Sequence, residues 1–456
     1  MNESGPAQSG SAQSGSAREG SLDAPTRHPL KWKSPAFWDQ AALEAELERV
    51  FEICHGCRRC VSLCNAFPTL FDLVDASATM EVDGIAKSDF PKVVEQCYLC
   101  DLCYQTKCPY VPPHPWNVDF PHLMLRAKAL QHKQGETPTS AKLLSNTRAV
   151  GKLASIPVVV EAVNWGNRNR SLRIVMEKTL DVHRDADVPA YHSRTARKRL
   201  KHLHDDGAAI AAGPTTGKVA LFITCYGDYN QPQMVEDLAA VLRHNGVQVK
   251  LLRKESCCGM PKLELGDLDS VEKYRNANLP LLIEAVNEGY DLIAPIPSCV
   301  LMFKQELPLL FPDDADVIRV KRAFYDPFEY LMHRHAVGLF KTDFRNELGK
   351  VVWQAACHQR VQNIGPKTRD VLNLVPNTEI VTIERCSGHD GTYGVKKDTY
   401  EMSRKIAKPV ENRVKQAAPQ HFTSDCVMAG AHIAHGLGDG TRAEHPITLI
   451  RKAYGI

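Results

Sequence analysis

The sequence predicts a multidomain α+β chain, with an all-α, cysteine-rich N-terminal part followed by two α/β units that repeat one another. Three observations predict it. Eight of the 15 cysteines crowd between Cys54 and Cys108. Beyond residue 218, short apolar runs alternate with helix-like stretches, the pattern of a parallel sheet. The cysteines that follow those runs then recur: 225, 257 and 299 in one copy, 357, 386 and 426 in the next. Near-equal steps repeated in order read as an internal duplication.

Each part can be justified in turn. Residues 1–28 are rich in Ser, Gly, Ala and Gln and nearly free of large apolar side chains. Such a segment does not offset its ordering entropy, so a disordered tail is expected. From 29 to 135 a helical domain is expected. Ser34-Pro35 reads as an N-cap with Pro in the first turn, and Leu43, Leu47, Val50, Phe51 and Cys54 recur at helical spacing. About 30 residues separate Cys64 from Cys97, more than a small strand-built domain needs, so this insert is read as helical. Residues 136–216 read as a helical linker, with a basic stretch at Ser193–His204 taken mainly as solvated. Two α/β units should follow, at 217–340 and 341–456. Open parallel sheets place ligands at the carboxyl ends of their strands, so each cysteine set should converge on one site.

Composition narrows the function. The chain is 43% hydrophobic and 24% charged, as in a water-soluble globular protein, and its net charge of +3 offers no nucleic-acid footprint. No apolar run approaches the roughly 20 residues of a spanning helix, and no secretory pattern opens the chain. A cytoplasmic location is expected. In a reducing compartment, crowded CxxC spacings point to metal rather than disulfides.

The spacings themselves are Cys54-x2-Cys57-x2-Cys60-x3-Cys64 and Cys97-x2-Cys100-x2-Cys103-x4-Cys108-Pro109. Three thiolates so spaced wrap one 4Fe–4S cube, and in two-cluster ferredoxins the fourth cysteine serves the other cube. Carried over, one cluster takes Cys54, Cys57, Cys60 and Cys108, and the other takes Cys97, Cys100, Cys103 and Cys64. Asn65 departs from the usual Pro after the fourth cysteine. Structural zinc, which favours separated CxxC pairs, fits two successive triplets poorly.

The later cysteines carry a resemblance. TCYGDYNQPQ (224–233), CCGMP (257–261), SCVLMFKQE (298–306), CSGHDGTYGVKKDTYE (386–401) and HPITLI (445–450), behind ferredoxin motifs, resemble the heterodisulfide reductase-related iron–sulfur proteins. The resemblance implies a helical two-cluster ferredoxin domain and two duplicated α/β cysteine-rich domains of the CCG type. It also implies a further, non-cubane iron–sulfur cluster on Cys225, Cys257, Cys258 and Cys299. Met302 stands where the fullest form has another cysteine. The second copy is degenerate: Ser387 replaces one cysteine and Ala429 another, leaving Cys357, Cys386 and Cys426, with His358, His389 and Asp425 nearby.

An electron-transfer subunit is the expected function. It would pass electrons between a partner flavoprotein dehydrogenase and an acceptor such as quinone, with peripheral contact on the inner face of the cytoplasmic membrane. No flavin or NAD fingerprint is found, since no G-x-G-x-x-G follows a strand. Two alternatives stand beside it. One is a disulfide reductase acting through a low-pKa thiolate at Cys257 or Cys258. The other is an iron–sulfur sensor or assembly protein.

Overall fold

The structure, a computed structural model, describes residues 25–203 and 207–456. Most of the expected disordered tail lies outside these residues, but its boundary at 28 has to move. The Thr26 N–H donates to the Pro112 carbonyl at 3.1 Å. The Arg27 side chain is 5% exposed and paired with Asp101 and Asp119. An isolated arginine in a polar run leaves no periodic signal, and its partners are 74 and 92 residues away.

Residues 25–203 are helical, with no strand longer than an isolated bridge among them. The cap of the first long helix differs from expectation. Ser34 precedes only the short turn Pro35–Trp38 and makes no side-chain cap. Asp39 caps the helix Gln40–Cys57 instead, accepting from the Ala42 N–H at 2.6 Å. That helix buries Leu43, Leu47, Val50 and Phe51 and packs on the helix Phe120–Lys133. The insert between the cysteine motifs supplies the helices Ala66–Asp75 and Phe90–Val94. Phe67 meets Phe120 and Phe51 meets Phe90, with ring centroids 4.8 and 5.1 Å apart. Such contacts anchor a small helical core.

Two parallel four-stranded sheets follow. The first contains β1 (Lys218–Leu221), β2 (Gln248–Leu251), β3 (Asp291–Ile293) and β4 (Phe324–Tyr325), in the order β2-β1-β3-β4. The second contains β5 (Gly349–Gln354), β6 (Thr378–Ile383), β7 (His421–Ser424) and β8 (Ala443–Glu444), in the order β6-β5-β7-β8. The order is the same in both, counted within each unit. Val219 pairs with Val249 and Asp291; in the second sheet, Val351 pairs with Ile380 and His421. Helices cover both faces, so the central strands read as near-continuous apolar runs.

The last helix of each unit packs on the other unit. The helix Pro327–His335, after β4, packs against the helix Lys367–Leu372. The helix Pro446–Tyr454, after β8, packs against Pro232–His244. There Arg451 and Thr448 both hold Asp237, at 2.8 and 2.5 Å. Leu331, Val371, Leu372, Ile447 and Leu449 all belong to the main core.

Candidate iron–sulfur centres

The two ferredoxin motifs place their thiols in two groups. Cys54 is half-buried, and its thiol is pushed well above its ordinary range by loss of solvation and then by the thiols of Cys108, Cys60 and Cys57. Burial likewise raises Cys103, followed by its neighbours Cys100, Cys97 and Cys64. Cys108 thus acts on Cys54 of the first motif, and Cys64 acts on Cys103 of the second, with a smaller influence from Cys60.

Local backbone shapes these nests. Leu99 and Asp101, which alternate with Cys97, Cys100 and Cys103, both take positive φ, 55° and 59°. L-residues rarely do so, and such departures concentrate at functional sites. Amide N–H groups face sulfur in both motifs: that of Leu99 toward Cys97, Leu102 toward Cys100, Ala66 toward Cys64, and Tyr110 toward Cys108. Between Cys103 and Cys108 the chain makes one wide turn, closed by the Cys108 N–H on the Cys103 carbonyl at 2.9 Å.

These residues fit iron–sulfur clusters. Buried thiols that raise one another stay protonated when bare, whereas bound metal deprotonates a coordinating thiol outright. Amide donors aimed at sulfur then stabilise the thiolate.

A buried ion network fixes this helical part to the first sheet unit. Arg27 binds Asp119 at 2.9 Å and Asp101 at 2.5 Å. Glu306 of the first unit lies 3.5 Å from Arg27 and 3.2 Å from His122 Nε2. Gln305 donates to Asp101 at 3.2 Å.

In the first unit, Cys225, Cys257, Cys258 and Cys299 converge after β1, β2 and β3, as expected from the strand ends. Each thiol shifts the next along that order, Cys225 to Cys257 to Cys258 to Cys299. Gly259 has φ 103°, and a Cβ there would meet the Met302 methyl at 3.4 Å. The CCG turn therefore needs its glycine, and Met302 packs over it. Cys257 and Cys258 are buried, and their thiols are raised, Cys257 to about 12. As bare thiols they are protonated and poor nucleophiles.

The second unit brings together a different set. Cys357, Cys386 and Asp390 place one ligand atom each within 4.8 Å of one another. Cys426 stands outside this triad. Its thiol is raised to about 11 by burial, and it influences both Cys299 and Tyr226 of the first unit. Asp425 is occupied, accepting from Trp353 Nε1 at 2.7 Å and from the Thr368 hydroxyl at 2.6 Å. His389 is buried with neither ring nitrogen hydrogen-bonded, and burial lowers it to about 4. His358 is occupied too. Its Nε2 donates to the Leu99 carbonyl at 3.1 Å, so its Nδ1 accepts from the Ser298 hydroxyl at 2.7 Å. His358 thus bridges the loop of Cys97 and Cys100 to the residue beside Cys299.

Sequence reasoning missed Asp390, which reads as an ordinary loop acid. It also missed Thr147, whose hydroxyl lies 3.2 Å from Cys225 Sγ and 3.9 Å from Cys257 Sγ. No spacing rule links residues 78 and 110 positions apart.

Comparisons with known proteins agree with this geometry. The cysteine-rich domain (CCG) family model matches residues 219–304. The chain is 27% identical over 345 residues to a subunit of the anaerobic glycerol-3-phosphate dehydrogenase of Escherichia coli (strain K12), covering 74% of this chain and 83% of that one. It is 26% identical to lactate utilization protein A of Oceanobacillus iheyensis, over 46% of this chain and 87% of the relative. It is also 26% identical to a subunit of the fumarate reductase (CoM/CoB) of Methanothermobacter marburgensis, over 60% of this chain and 54% of that protein. The chain resembles these proteins, two of which are oxidoreductase subunits. Iron–sulfur binding and a general electron-transfer role follow at that level. No helix among the described residues is long and apolar enough to cross a membrane.

Proposed function

We propose that this chain is the iron–sulfur electron-transfer subunit of an oxidoreductase complex, taking electrons from a flavoprotein dehydrogenase partner and passing them to a quinone. One pattern supports the reading: three sets of four cysteines at cluster-type spacing in the sequence, with His358 bridging the Leu99 carbonyl beside the second ferredoxin motif to Ser298 beside Cys299. Iron–sulfur clusters bound there supply one-electron chemistry across a wide range of potential.

Cys54, Cys57, Cys60 and Cys108 would hold one 4Fe–4S cluster, and Cys97, Cys100, Cys103 and Cys64 the other. Cys225, Cys257, Cys258 and Cys299 would hold a further, non-cubane cluster. We read the matching strand orders of the two sheets as a duplication whose second site has lost ligands. The chain's own contribution is positional. Amide donors stabilise thiolate, the Arg27 network holds the helical part against the first unit, and buried walls exclude water.

The test is iron, acid-labile sulfide and EPR on anaerobically purified full-length protein. About eight irons or more per chain are expected, with reducible cubane signals. Four irons or fewer, or zinc in their place, would sink the reading.

A further inference from the structure

The helices Thr139–Leu144, Thr147–Ala154, Val159–Arg168 and Arg170–Leu180 form a connected lobe with an unusual surface. Eight of the fourteen exposed large apolar side chains among the described residues fall between 143 and 175. Their centre is the turn between two helices. Ile156, Pro157, Val158 and Val159 are four consecutive exposed apolar residues there. Val158 is 84% exposed and has φ 73°, a costly conformation for a β-branched residue. From Val158 the exposed face continues along the next helix to Ala162 and to Trp165, which is 61% exposed. These are positions i, i+4 and i+7 of one helical stripe.

The charge around this turn is one-sided. Residues 139–180 hold seven Lys and Arg against two Asp and Glu, a net of +5, while the whole chain is only +3. The rest of the molecule is therefore net negative. Of the seven, Lys152, Arg168, Arg170 and Lys178 are exposed, against Glu161 alone among the acids. The other acid, Glu177, is buried and paired with Arg184. The basic run at 194–199 is different, being used internally: Arg197 pairs with Glu255 and Arg199 with Glu236.

We propose that this lobe is a lipid-facing surface that seats the protein on an anionic bilayer. Val158 and its neighbours enter the headgroup–acyl boundary, Trp165 lies at the interface, and the four exposed cations meet anionic headgroups. Exposed apolar residues ringed by Lys and Arg suit a lipid interface, where long basic side chains reach headgroups while their stems lie on apolar surface. A tryptophan beside them suits the same depth.

The surface has a direct structural link to the first cysteine group. The helix Thr147–Ala154 starts with its Thr147 hydroxyl on Cys225 and ends just before the apolar turn. Eight residues span about 12 Å. A lipid-soluble acceptor in that bilayer would thus meet the protein about one short helix from Cys225. This consequence rests on the electron-transfer reading, whereas the lipid contact itself does not.

The test is flotation of the anaerobically purified full chain with vesicles of phosphatidylcholine alone and of phosphatidylcholine mixed with phosphatidylglycerol. The wild type should float with the mixed vesicles, less with the neutral ones, and less as salt is raised. The double variant Val158→Asp, Trp165→Asp should bind about tenfold more weakly or worse, with its iron content unchanged. Equal flotation of variant and wild type would overturn the proposal. So would a wild type that floats with neither vesicle, whether or not it dimerises through this patch. Iron analysis of the same samples separates the two readings: a chain that floats without iron keeps the lipid surface and loses the electron-transfer role.

Discussion

The two sheet units have the same strand order and different chemistry. In the first, four thiols follow three strand ends and act on one another in one line. In the second, only two thiols meet, and Asp390 stands with them. Ser387 takes the place of a thiolate, and Cys426 turns its influence partly toward Cys299 of the first unit. The strand order is shared while the side chains at the strand ends differ. What the second unit still supplies is geometric: His358 spans two neighbouring thiol groups, and the helix Pro446–Tyr454 covers the first unit.

The largest effect that would sharpen this contrast is on metal content. Cys258→Ser removes the third thiol of the line and should abolish iron binding in the first unit. Iron should fall to about eight per chain, the content of two cubane clusters. The cubane EPR signals should persist. Iron unchanged by the substitution would mean that the first unit is as empty as the second.

Next in size is the effect of separating the units. A fragment of residues 341–456 exposes Ile447, Leu449, Ile450 and Tyr454, all buried in the intact chain. Each loses about 1.5–3 kcal/mol of burial, and the sum rivals the entire stability of a typical domain. The fragment should show no cooperative thermal transition, whereas the full chain does. A sharp transition in the fragment would show that the exchanged helices are dispensable.

Much of this architecture was legible in the sequence. Six strands were visible as short runs, clearest in β1 and β5, where Val219–Leu221 and Val351–Trp353 are buried because inner parallel strands are covered on both faces. β4 and β8 were not, since two residues each, Phe324–Tyr325 and Ala443–Glu444, carry no periodicity. The cysteine motifs around Cys54 and Cys97 were legible because each is a run of short spacings. Arg27, Thr147 and Asp390 were not, because each finds its partners through tertiary packing. The exchange of terminal helices was hidden for the same reason: an amphipathic stripe shows that a face is buried, not which unit buries it.

A third, intermediate effect concerns Glu264, which ends the turn after the CCG motif and lies against Gly391, beside Asp390 of the second unit. Burial raises its carboxyl from an ordinary 4.5 to about 8. The folded chain therefore holds this proton more tightly than the unfolded one. Its stability contribution is complete below about pH 4.5 and is lost as pH rises through 8. Glu264→Gln should flatten the pH dependence of thermal stability across that window. It should also stabilise the protein above pH 8 by up to a few kcal/mol. An unchanged pH profile in the variant would place this proton elsewhere.

The smallest expected effect is the one most able to break the comparison. Cys386→Ser removes one of the two thiols that meet in the second unit. Iron and sulfide per chain should not change, because two thiols and a carboxylate are too few to hold a four-iron cluster here. A small change in EPR line shape is still expected. Cys386 and Asp390 are both felt by Cys100, and by Cys64 from the other motif, so the variant alters the electrostatics around the second ferredoxin group. If iron instead falls by more than about one per chain, the second unit holds metal of its own. The difference between the units would then be one of ligand type, with Asp390 replacing a thiolate, rather than of loss.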